Sequence, residues 1–222
     1  MQAAVITGGG SGLGLALAKV YGKKYDKIIL IGRNLKKLQN AKRLLEDEGV
    51  SCSIDQVDIT DPGQADDFAK RAFHENAIRL LINNAGVGHF GPAETLSPAQ
   101  VHEMIDTNVK GTIFMSQAFI RHFKEKGAGE ILQIISTAGL RGKVNESVYN
   151  ASKFAVRGYT EGLRKELAAA DISIKAAYMG GMDTPFWVNS SHISDKSRLR
   201  DPLSIAQQIA DQSLETDDIL FD

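Results

Sequence analysis

The sequence predicts an α/β fold in which helices cover both faces of a parallel sheet. Short apolar runs rich in β-branched residues alternate with segments of helical periodicity along all 222 residues. This alternation is typical of parallel strands joined by crossover helices. Ligands of such sheets bind beyond the carboxyl ends of the strands. The residues that directly follow predicted strands are therefore candidates for one shared crevice: Gly8, Arg33, Asp58, Asn84, Ser136 and Met179.

Composition favours one globular domain over residues 1–222. Hydrophobic residues make up 43% of the chain, charged residues 24%, and the net charge is −1. This balance gives no broad attraction to nucleic acid or to an anionic membrane, and neither a signal peptide nor a membrane-length apolar run is found. We therefore expect a cytoplasmic protein without such partners. Because Cys52 is the only cysteine and the five histidines are dispersed, no intramolecular disulfide or metal site is expected.

Local signals place the elements along the chain. Strands are predicted at 3–7, 27–31, 51–57, 79–82, 131–135, 172–178 and 219–221. Helices are predicted at 15–21, 35–47, 61–74, 97–126, 149–167 and 202–214, several of them with capping signals. Asn108 interrupts the long fourth helix, either as an exposed, tolerated residue or at a functional kink. The side chain of Asn83 is interpreted as a tie between strands.

The stretch from Thr7 to Gly14 has the context of a dinucleotide-binding turn, because it follows a strand and opens a helix. Glycines at 8, 12 and 14 let the backbone turn tightly and approach a pyrophosphate, which the helix N-terminus then faces. The spacing T-G-x-x-x-G-x-G differs from the usual G-x-G-x-x-G, and a plain flexible loop is the alternative. Together with the alternating elements, the stretch indicates a doubly wound, Rossmann-type sheet.

The residue that ends the second strand indicates which dinucleotide binds. A carboxylate there would accept a hydrogen bond from the ribose 2′-hydroxyl of NAD. The chain has Arg33 instead, whose charge and forked donors suit the 2′-phosphate of NADP. We therefore favour NADP(H), with NAD(H) as the alternative. A solvated arginine beside Lys36 and Lys37 would give the same pattern.

Ser136, Tyr149 and Lys153 form the candidate catalytic set. Tyr149 and Lys153 are four residues apart in a helical segment, so both side chains lie on one face. A free tyrosine has a pKa of about 10, and a nearby ammonium lowers that pKa because it favours the phenolate. Ser136 ends a strand, where its hydroxyl can stabilise charge on a substrate oxygen. A solvated Tyr–Lys pair and a polar strand cap are the plain alternatives.

These motifs together resemble the short-chain dehydrogenase/reductase family over nearly the full chain. They are TGGGSGLG at 7–14, VD at 57–58, NNAG at 83–86, DTNVKG at 106–111, ISTAG at 135–139 and YNASK at 149–153. The resemblance implies that Tyr149 is the general acid/base, that Lys153 lowers its pKa and that Ser136 holds the substrate oxygen. It also implies that Asn108 supports a proton-relaying water. The cofactor contacts expected from residues and resemblance together are Gly8, Gly10, Ser11, Gly12, Leu13, Gly14, Arg33, Asp58, Ile59, Asn84, Ala85, Gly86, Tyr149, Lys153 and Thr184.

The chain departs from the family pattern in two places. Many members have Pro-Gly after the sixth strand, whereas this chain has Met179-Gly180, and the sequence lacks the glycine-bearing tail that many members carry. Small residues along the helix of Tyr149 permit close approach of a second subunit or of the protein's own sheet. We expect a homo-oligomer, either a homodimer or a homotetramer. Residues 185–200 are expected to form a substrate lid.

These observations predict an oxidoreductase that transfers a hydride between NADP(H) and a small carbonyl compound or secondary alcohol. The cofactor supplies the hydride chemistry and the protein positions the reactants. Phe90, Met182, Phe186 and Trp187 are candidates for an apolar substrate pocket, although core packing would suit them equally. The alternative is a non-catalytic sensor or scaffold that binds the dinucleotide on the same fold. The complete Ser–Tyr–Lys set argues for the enzyme.

Overall fold

The computed structural model describes residues 1–188, 192 and 195–221. Within them the strands are Gln2–Thr7 (β1), Lys27–Gly32 (β2), Cys52–Gln56 (β3), Ala77–Asn83 (β4), Gly129–Ile134 (β5), Ile172–Tyr178 (β6) and Asp218–Leu220 (β7). The helices are Gly12–Tyr21 (α1), Leu35–Asp47 (α2), Pro62–Glu75 (α3), Pro98–Met104 (α4), Thr112–Lys126 (α5), Ser147–Glu166 (α6) and Pro202–Gln212 (α7). The strands form one parallel sheet in the order β3-β2-β1-β4-β5-β6-β7. The doubly wound, Rossmann-type sheet that the sequence predicts is confirmed.

Helices cover both faces of the sheet because alternate strand residues point to opposite sides. Along β1, Ala4 and Ile6 pack with residues of α1, α2 and α7. Their neighbours Ala3 and Val5 pack with residues of α3, α5 and α6 on the other face. Both faces are thus apolar, which is typical of parallel strands. Cys52 lies in the first of these cores, and burial raises the pKa of its thiol to about 12.

The helix starts follow the predicted capping chemistry. The Asp61 carboxylate accepts hydrogen bonds from the backbone N–H groups of Gly63 and Gln64, which opens α3. Ser97 and Gln100 form a reciprocal capping box at α4, with Pro98 in the first turn. Each cap satisfies backbone donors that have no partner within the helix.

The predicted fourth helix is divided by a π-helical segment, Ile105–Gly111, between α4 and α5. Asn108 lies in the middle of this segment and is 1% exposed. The hydroxyl of Thr112 donates to the carbonyl of Asn108 at 2.8 Å, within the widened turn. The interpretation of Asn108 as an exposed, tolerated residue is therefore wrong. π-helical segments within α-helices are rare and are frequently found at functional sites.

The tie expected of Asn83 runs through a helix. Asn83 at the end of β4 donates to the hydroxyl of Ser116 on α5 at 3.0 Å. Gln133, its register neighbour on β5, donates to the same hydroxyl at 3.2 Å. The two strands are therefore joined by their shared contact with Ser116, and not by a direct bond between their side chains.

Part of the expected lid lies outside the described residues, namely 189–191, 193 and 194. Before this stretch, Pro185–Trp187 forms one turn of 3-10 helix. After it, Arg200 pairs with Met182 in an isolated parallel bridge. Within the described part of the chain, every helix falls short of the length and apolarity that crossing a membrane demands.

Two adjacent leucines on α2 test the packing. Leu45 is fully buried between α2 and the sheet, whereas Leu44 is 44% exposed. Leu45→Ala should lower the free energy of unfolding by about 2–5 kcal/mol because it leaves a cavity. Leu44→Ala, the matched control, should lower it by less than about 1 kcal/mol. Urea unfolding followed by circular dichroism measures both, and equal losses would contradict this packing.

Candidate active site

A cavity of about 620 Å³ opens at the carboxyl ends of the strands, where the strand order reverses between β1 and β4. This is the place at which doubly wound sheets bind ligands. It brings together residues from stretches that are far apart in the chain. The predicted site residues that line it are Gly8, Gly10, Ser11, Gly12, Leu13, Gly14, Arg33, Asp58, Ile59, Asn84, Ala85, Gly86, Ser136, Tyr149, Lys153 and Thr184.

The turn at residues 8–14 requires glycine because of its backbone angles and its close backbone contacts. Gly8 and Gly12 have φ angles of +64° and +54°, a conformation that side chains disfavour. A Cβ at Gly14 would lie 2.4 Å from the carbonyl oxygen of Gly8. A Cβ at Gly12 would lie 3.2 Å from the Cβ of Thr184. Thr184 therefore packs on the turn, in agreement with the place that the sequence predicts for it.

The N-terminus of α1 points its backbone donors toward this cavity. The side chain of Ser11, at the N-cap, accepts no hydrogen bond from the helix. By contrast, the starts of α2, α3, α4 and α7 are capped by the side chains of Asn34, Asp61, Ser97 and Asp201. The first N–H groups of a helix and its dipole together attract an anion. The turn and helix therefore fit the pyrophosphate of a dinucleotide.

Hydrogen bonds between Thr7 and Asn84 hold the ends of β1 and β4 together. The hydroxyl of Thr7 accepts from the backbone N–H groups of Asn84 and Ala85, each at 2.9 Å. The amide of Asn84 donates to the carbonyls of Thr7 at 2.9 Å and Gly8 at 3.3 Å. The side chain of Asn84 is therefore used to join the two loops, and the loop meets the cavity mainly with its backbone.

Charged groups surround the β2 end of the cavity. The guanidinium of Arg33 lies 3.7 Å from one carboxylate oxygen of Glu103, on α4. The other oxygen of Glu103 lies 2.8 Å from the imidazole of His89. Lys37 also lines this end, although its position in the sequence is that of a solvated helix residue. One oxygen of Asp58 accepts from the backbone and hydroxyl of Thr60, which fixes the turn after β3.

Tyr149 and Lys153 lie side by side on α6, both buried. The ammonium of Lys153 is 5.7 Å from the centre of the Tyr149 ring and donates to the carbonyl of Ile134 at 3.2 Å. Burial raises the pKa of Tyr149, while a hydrogen bond with Ser136 acts in the opposite direction. Burial lowers the pKa of Lys153 to about 8. The predicted lowering of the Tyr149 pKa by Lys153 stays a prediction.

Ser136 lies two residues after the end of β5 with a φ angle of +152°, which is rare for a residue with a side chain. Such backbone strain is found mainly at functional sites. Its hydroxyl oxygen accepts from the N–H of Ala138 at 3.1 Å. The hydroxyl proton of Ser136 is thus available to a group in the cavity beside Tyr149.

Asn108 is buried beneath the loop that follows β4. Its amide oxygen accepts from the N–H of Val87 at 2.8 Å, and its nitrogen donates to the carbonyl of Val87 at 2.9 Å. The same nitrogen donates to the hydroxyl of Ser152 on α6 at 3.0 Å. The side chain therefore anchors the loop to the helix that carries Tyr149 and Lys153. Its predicted support of a water stays a prediction.

Aromatic side chains form the wall beside Tyr149. Phe90 packs against Tyr149, Phe186 and Trp187, with ring centres 5.4, 6.0 and 5.1 Å apart. Met182, Phe186 and Trp187 line the cavity. The sequence left the choice between pocket and core open for these residues. The structure places Met182, Phe186 and Trp187 at the pocket, whereas Phe90 packs behind them in the wall.

Several lining residues escaped the sequence analysis. A carboxylate oxygen of Glu146 lies 3.0 Å from the imidazole of His192, beside Tyr149, and Lys143 donates to the hydroxyl of Thr137 at 2.9 Å. Glu103 lines the cavity as well. The available signal was the spacing of Glu146, which precedes Tyr149 by three residues, about one helical turn. Among the described residues, no cluster of three or more His, Cys, Asp or Glu side chains could hold a metal ion.

Comparisons with known proteins agree with this geometry. The model of the short chain dehydrogenase family matches residues 2–194. An uncharacterized oxidoreductase of Staphylococcus aureus (strain N315) is 32% identical over 207 residues, which cover 93% of this chain and 88% of the relative. The chain therefore belongs to the short-chain dehydrogenase/reductase family of oxidoreductases, as its motifs predict.

Solved structures are similar over almost the whole chain. One is 3-ketoacyl-(acyl-carrier-protein) reductase from Brucella melitensis complexed with NADH, which is 29% identical with a TM-score of 0.88, over 99% of this chain and 95% of that one. Another is a serine dehydrogenase complexed with NADP+, which is 26% identical with a TM-score of 0.85, over 98% and 92% of the two chains. These relatives share the fold and bind nicotinamide dinucleotides.

The buried ammonium of Lys153 should make stability depend on pH. Above a pKa of about 8 the folded protein loses this proton, while the unfolded chain keeps it to a pKa of about 10.4. Because the unfolded state then binds more protons, stability rises with pH in this window. Lys153→Met should therefore be more stable than the original protein at pH 7, and this advantage should shrink between pH 8 and 10.

Thermal unfolding of both proteins from pH 7 to 10 measures this difference. The slope can reach about 1.4 kcal/mol per pH unit, the value for one proton. Lys36→Met, an exposed lysine on α2, is the control and should show a flat difference. A flat difference for Lys153→Met as well would mean that its ammonium is not desolvated.

Proposed function

We propose that the chain is an NADP(H)-dependent carbonyl reductase or secondary-alcohol dehydrogenase. The observation that carries the proposal is the shared cavity, which joins Ser136, Tyr149 and Lys153 to the glycine turn. Similar structures with NADH and NADP+ support a nicotinamide dinucleotide as the cofactor. The intact Ser–Tyr–Lys set supports catalysis over the alternative of a non-catalytic sensor, which would have no use for it.

The lining residues fit the parts of the dinucleotide. The turn at Gly8 and Gly12 and the start of α1 would hold the pyrophosphate. Arg33 and Lys37 would hold the 2′-phosphate of NADP, although Glu103 partly neutralises Arg33 and keeps NAD(H) as an alternative. Lys153 would bond the nicotinamide ribose. When bound, the cofactor supplies or accepts the hydride at the carbonyl carbon.

Side chains of the protein would transfer the proton to the substrate oxygen and stabilise the negative charge that develops on it. Since burial raises the pKa of Tyr149, its hydroxyl keeps its proton at neutral pH and can donate it to the substrate oxygen during reduction. Ser136 would donate a hydrogen bond to the same oxygen. With a pKa of about 8, Lys153 is mostly charged at pH 7 and would stabilise the phenolate that remains. In oxidation the phenolate takes the proton back.

The proposal extends to the domain organisation, the oligomeric state and the size of the substrate. Residues 1–222 act as one cytoplasmic domain, and 185–200 cover the substrate as a lid. Open space at the Cβ positions of Gly158 and Gly162, and the 42% exposure of Phe154, support α6 as a contact in a homodimer or homotetramer. The aromatic wall supports a small carbonyl compound or alcohol as the substrate.

Tyr149→Phe tests the acid/base role. The change removes only the hydroxyl, so turnover of carbonyl compounds with NADPH should fall by about a hundredfold or more, the usual contribution of a general acid. Cofactor binding, followed by nicotinamide fluorescence, should stay close to that of the original protein. Tyr159→Phe on the same helix is the control and should keep turnover. Full activity of Tyr149→Phe would remove the proposed mechanism.

Arg33→Ala tests the choice of cofactor. If the guanidinium binds the 2′-phosphate, the change should weaken NADPH binding by about tenfold to a hundredfold, as expected for a charged hydrogen bond. NADH binding should change little. Arg79→Ala is the control, because Arg79 is exposed on β4, outside the cavity lining. Equal or tighter binding of NADH by the original protein would reverse the proposed preference.

A further inference from the structure

Glu146 is a buried carboxylate in the wall of the cavity. It precedes the first residue of α6, and its side chain is 9% exposed. One carboxylate oxygen lies 3.0 Å from the imidazole of His192. The second oxygen has no hydrogen-bond partner among the described residues. A carboxylate acceptor is therefore available at the substrate end of the cavity.

Burial of such a charge is costly unless other groups offset it. His192 offsets part of the cost, as does the positive end of the α6 dipole. The charge also acts on the catalytic end of the site, since Glu146 contributes to the raised pKa of Tyr149. A purely structural tie to His192 would need neither the cavity position nor an unpartnered oxygen.

The imidazole of His192 shows which kind of group fits beside Glu146 in the cavity. The ring of His192 stacks on Phe90, with centres 4.7 Å apart and planes 13° apart. It also stacks near Trp187, at 6.3 Å and 21°. A nitrogen donor therefore lies between an aromatic surface and the Glu146 carboxylate. Aromatic faces and a carboxylate together favour ammonium groups.

We propose that Glu146 determines substrate specificity by binding an ammonium group, so that the substrates are amino ketones and the corresponding amino alcohols. This inference rests on the proposed function and names its substrate class. Glu146 is the N-cap of α6 and Tyr149 lies in its first turn. The two positions are about one helical turn apart, which separates Cβ atoms by roughly 5–6 Å. The ammonium should therefore lie two or three bonds from the carbonyl carbon that receives the hydride.

Other charges face the same cavity and must be weighed. The ammonium of Lys143 lines the cavity and donates to Thr137, and this positive charge would favour an anionic substrate group. His89 and Glu103 line it as a pair of their own. Lys143 is only half-buried, whereas Glu146 is buried, so water and salt screen Glu146 less. Lys153 is also buried and charged, but its ammonium would be taken up by the nicotinamide ribose and the Tyr149 oxygen. At the corner of Glu146 the balance therefore favours a cationic substrate group.

Three aryl ketones of similar size test the proposal. They are 3-aminopropiophenone, with an ammonium, butyrophenone, with a methyl group in its place, and 3-benzoylpropionate, with a carboxylate. The original protein should have a kcat/KM for the ammonium compound about tenfold to a hundredfold above that for butyrophenone, with the carboxylate lowest. Glu146→Gln should bring the ratio of the first two close to one.

Lys143→Gln is the matched control, because it removes a charge of the opposite sign from the same cavity. It should keep the ratio at least as high as in the original protein. The proposal is overturned by a ratio that Glu146→Gln leaves unchanged, or by preference for the carboxylate. It is also overturned by an equal loss for all three ketones, which would make Glu146 only a structural tie.

A binding measurement separates this proposal from the proposed function. Trp187 is the only tryptophan of the chain and lines the cavity, so its fluorescence reports binding without turnover. Benzylammonium should bind more tightly than benzoate, and Glu146→Gln should weaken it by about tenfold or more. If no ketone is turned over but this pattern is seen, the enzyme assignment fails and the ammonium site stands. Equal binding of the two probes overturns the ammonium site.

Discussion

The hydrogen bonds between Thr7 and Asn84 are the constraint on which the site depends. They join the ends of β1 and β4 at the point where the strand order reverses. The loops that meet there use their side chains to satisfy each other, which leaves the backbone donors at the start of α1 facing the cavity. This junction continues the pairing of β1 with β4 beyond the strand ends, so it fixes the glycine turn against the loop after β4.

A second constraint is the start of α6, where Glu146 directly precedes the helix and Tyr149 and Lys153 share one of its faces. All three are titratable groups that the protein buries against the cavity. Burial raises the pKa of the phenol and so favours its protonated form, whereas it lowers the pKa of the ammonium, so only Lys153 is brought nearer to titration at neutral pH. Asn108 holds this helix to the loop after β4, so the π segment contributes by position and not by exposure.

Much of the fold was predictable because its signals are local. The apolar runs of the parallel strands, the cap at Asp61 and the capping box at Ser97 each depend on residues within a few positions of one another. The glycine turn was predictable for the same reason. At Asn108 the sequence left an exposed residue and a functional kink as alternative interpretations, because the contacts that bury this side chain, with Val87 and Ser152, are distant in the sequence.

The sequence by itself determined the doubly wound sheet, the family and the Ser136, Tyr149 and Lys153 set, since periodicity and short motifs carry that information. Only the tertiary structure decided what surrounds the set. Glu103 meets Arg33 from 70 residues away, and His192 meets Glu146 from 46 residues away. From the sequence alone, a charged residue is predicted to lie on the solvated surface. Whether it is instead buried against a partner depends on tertiary packing, which no local sequence pattern determines.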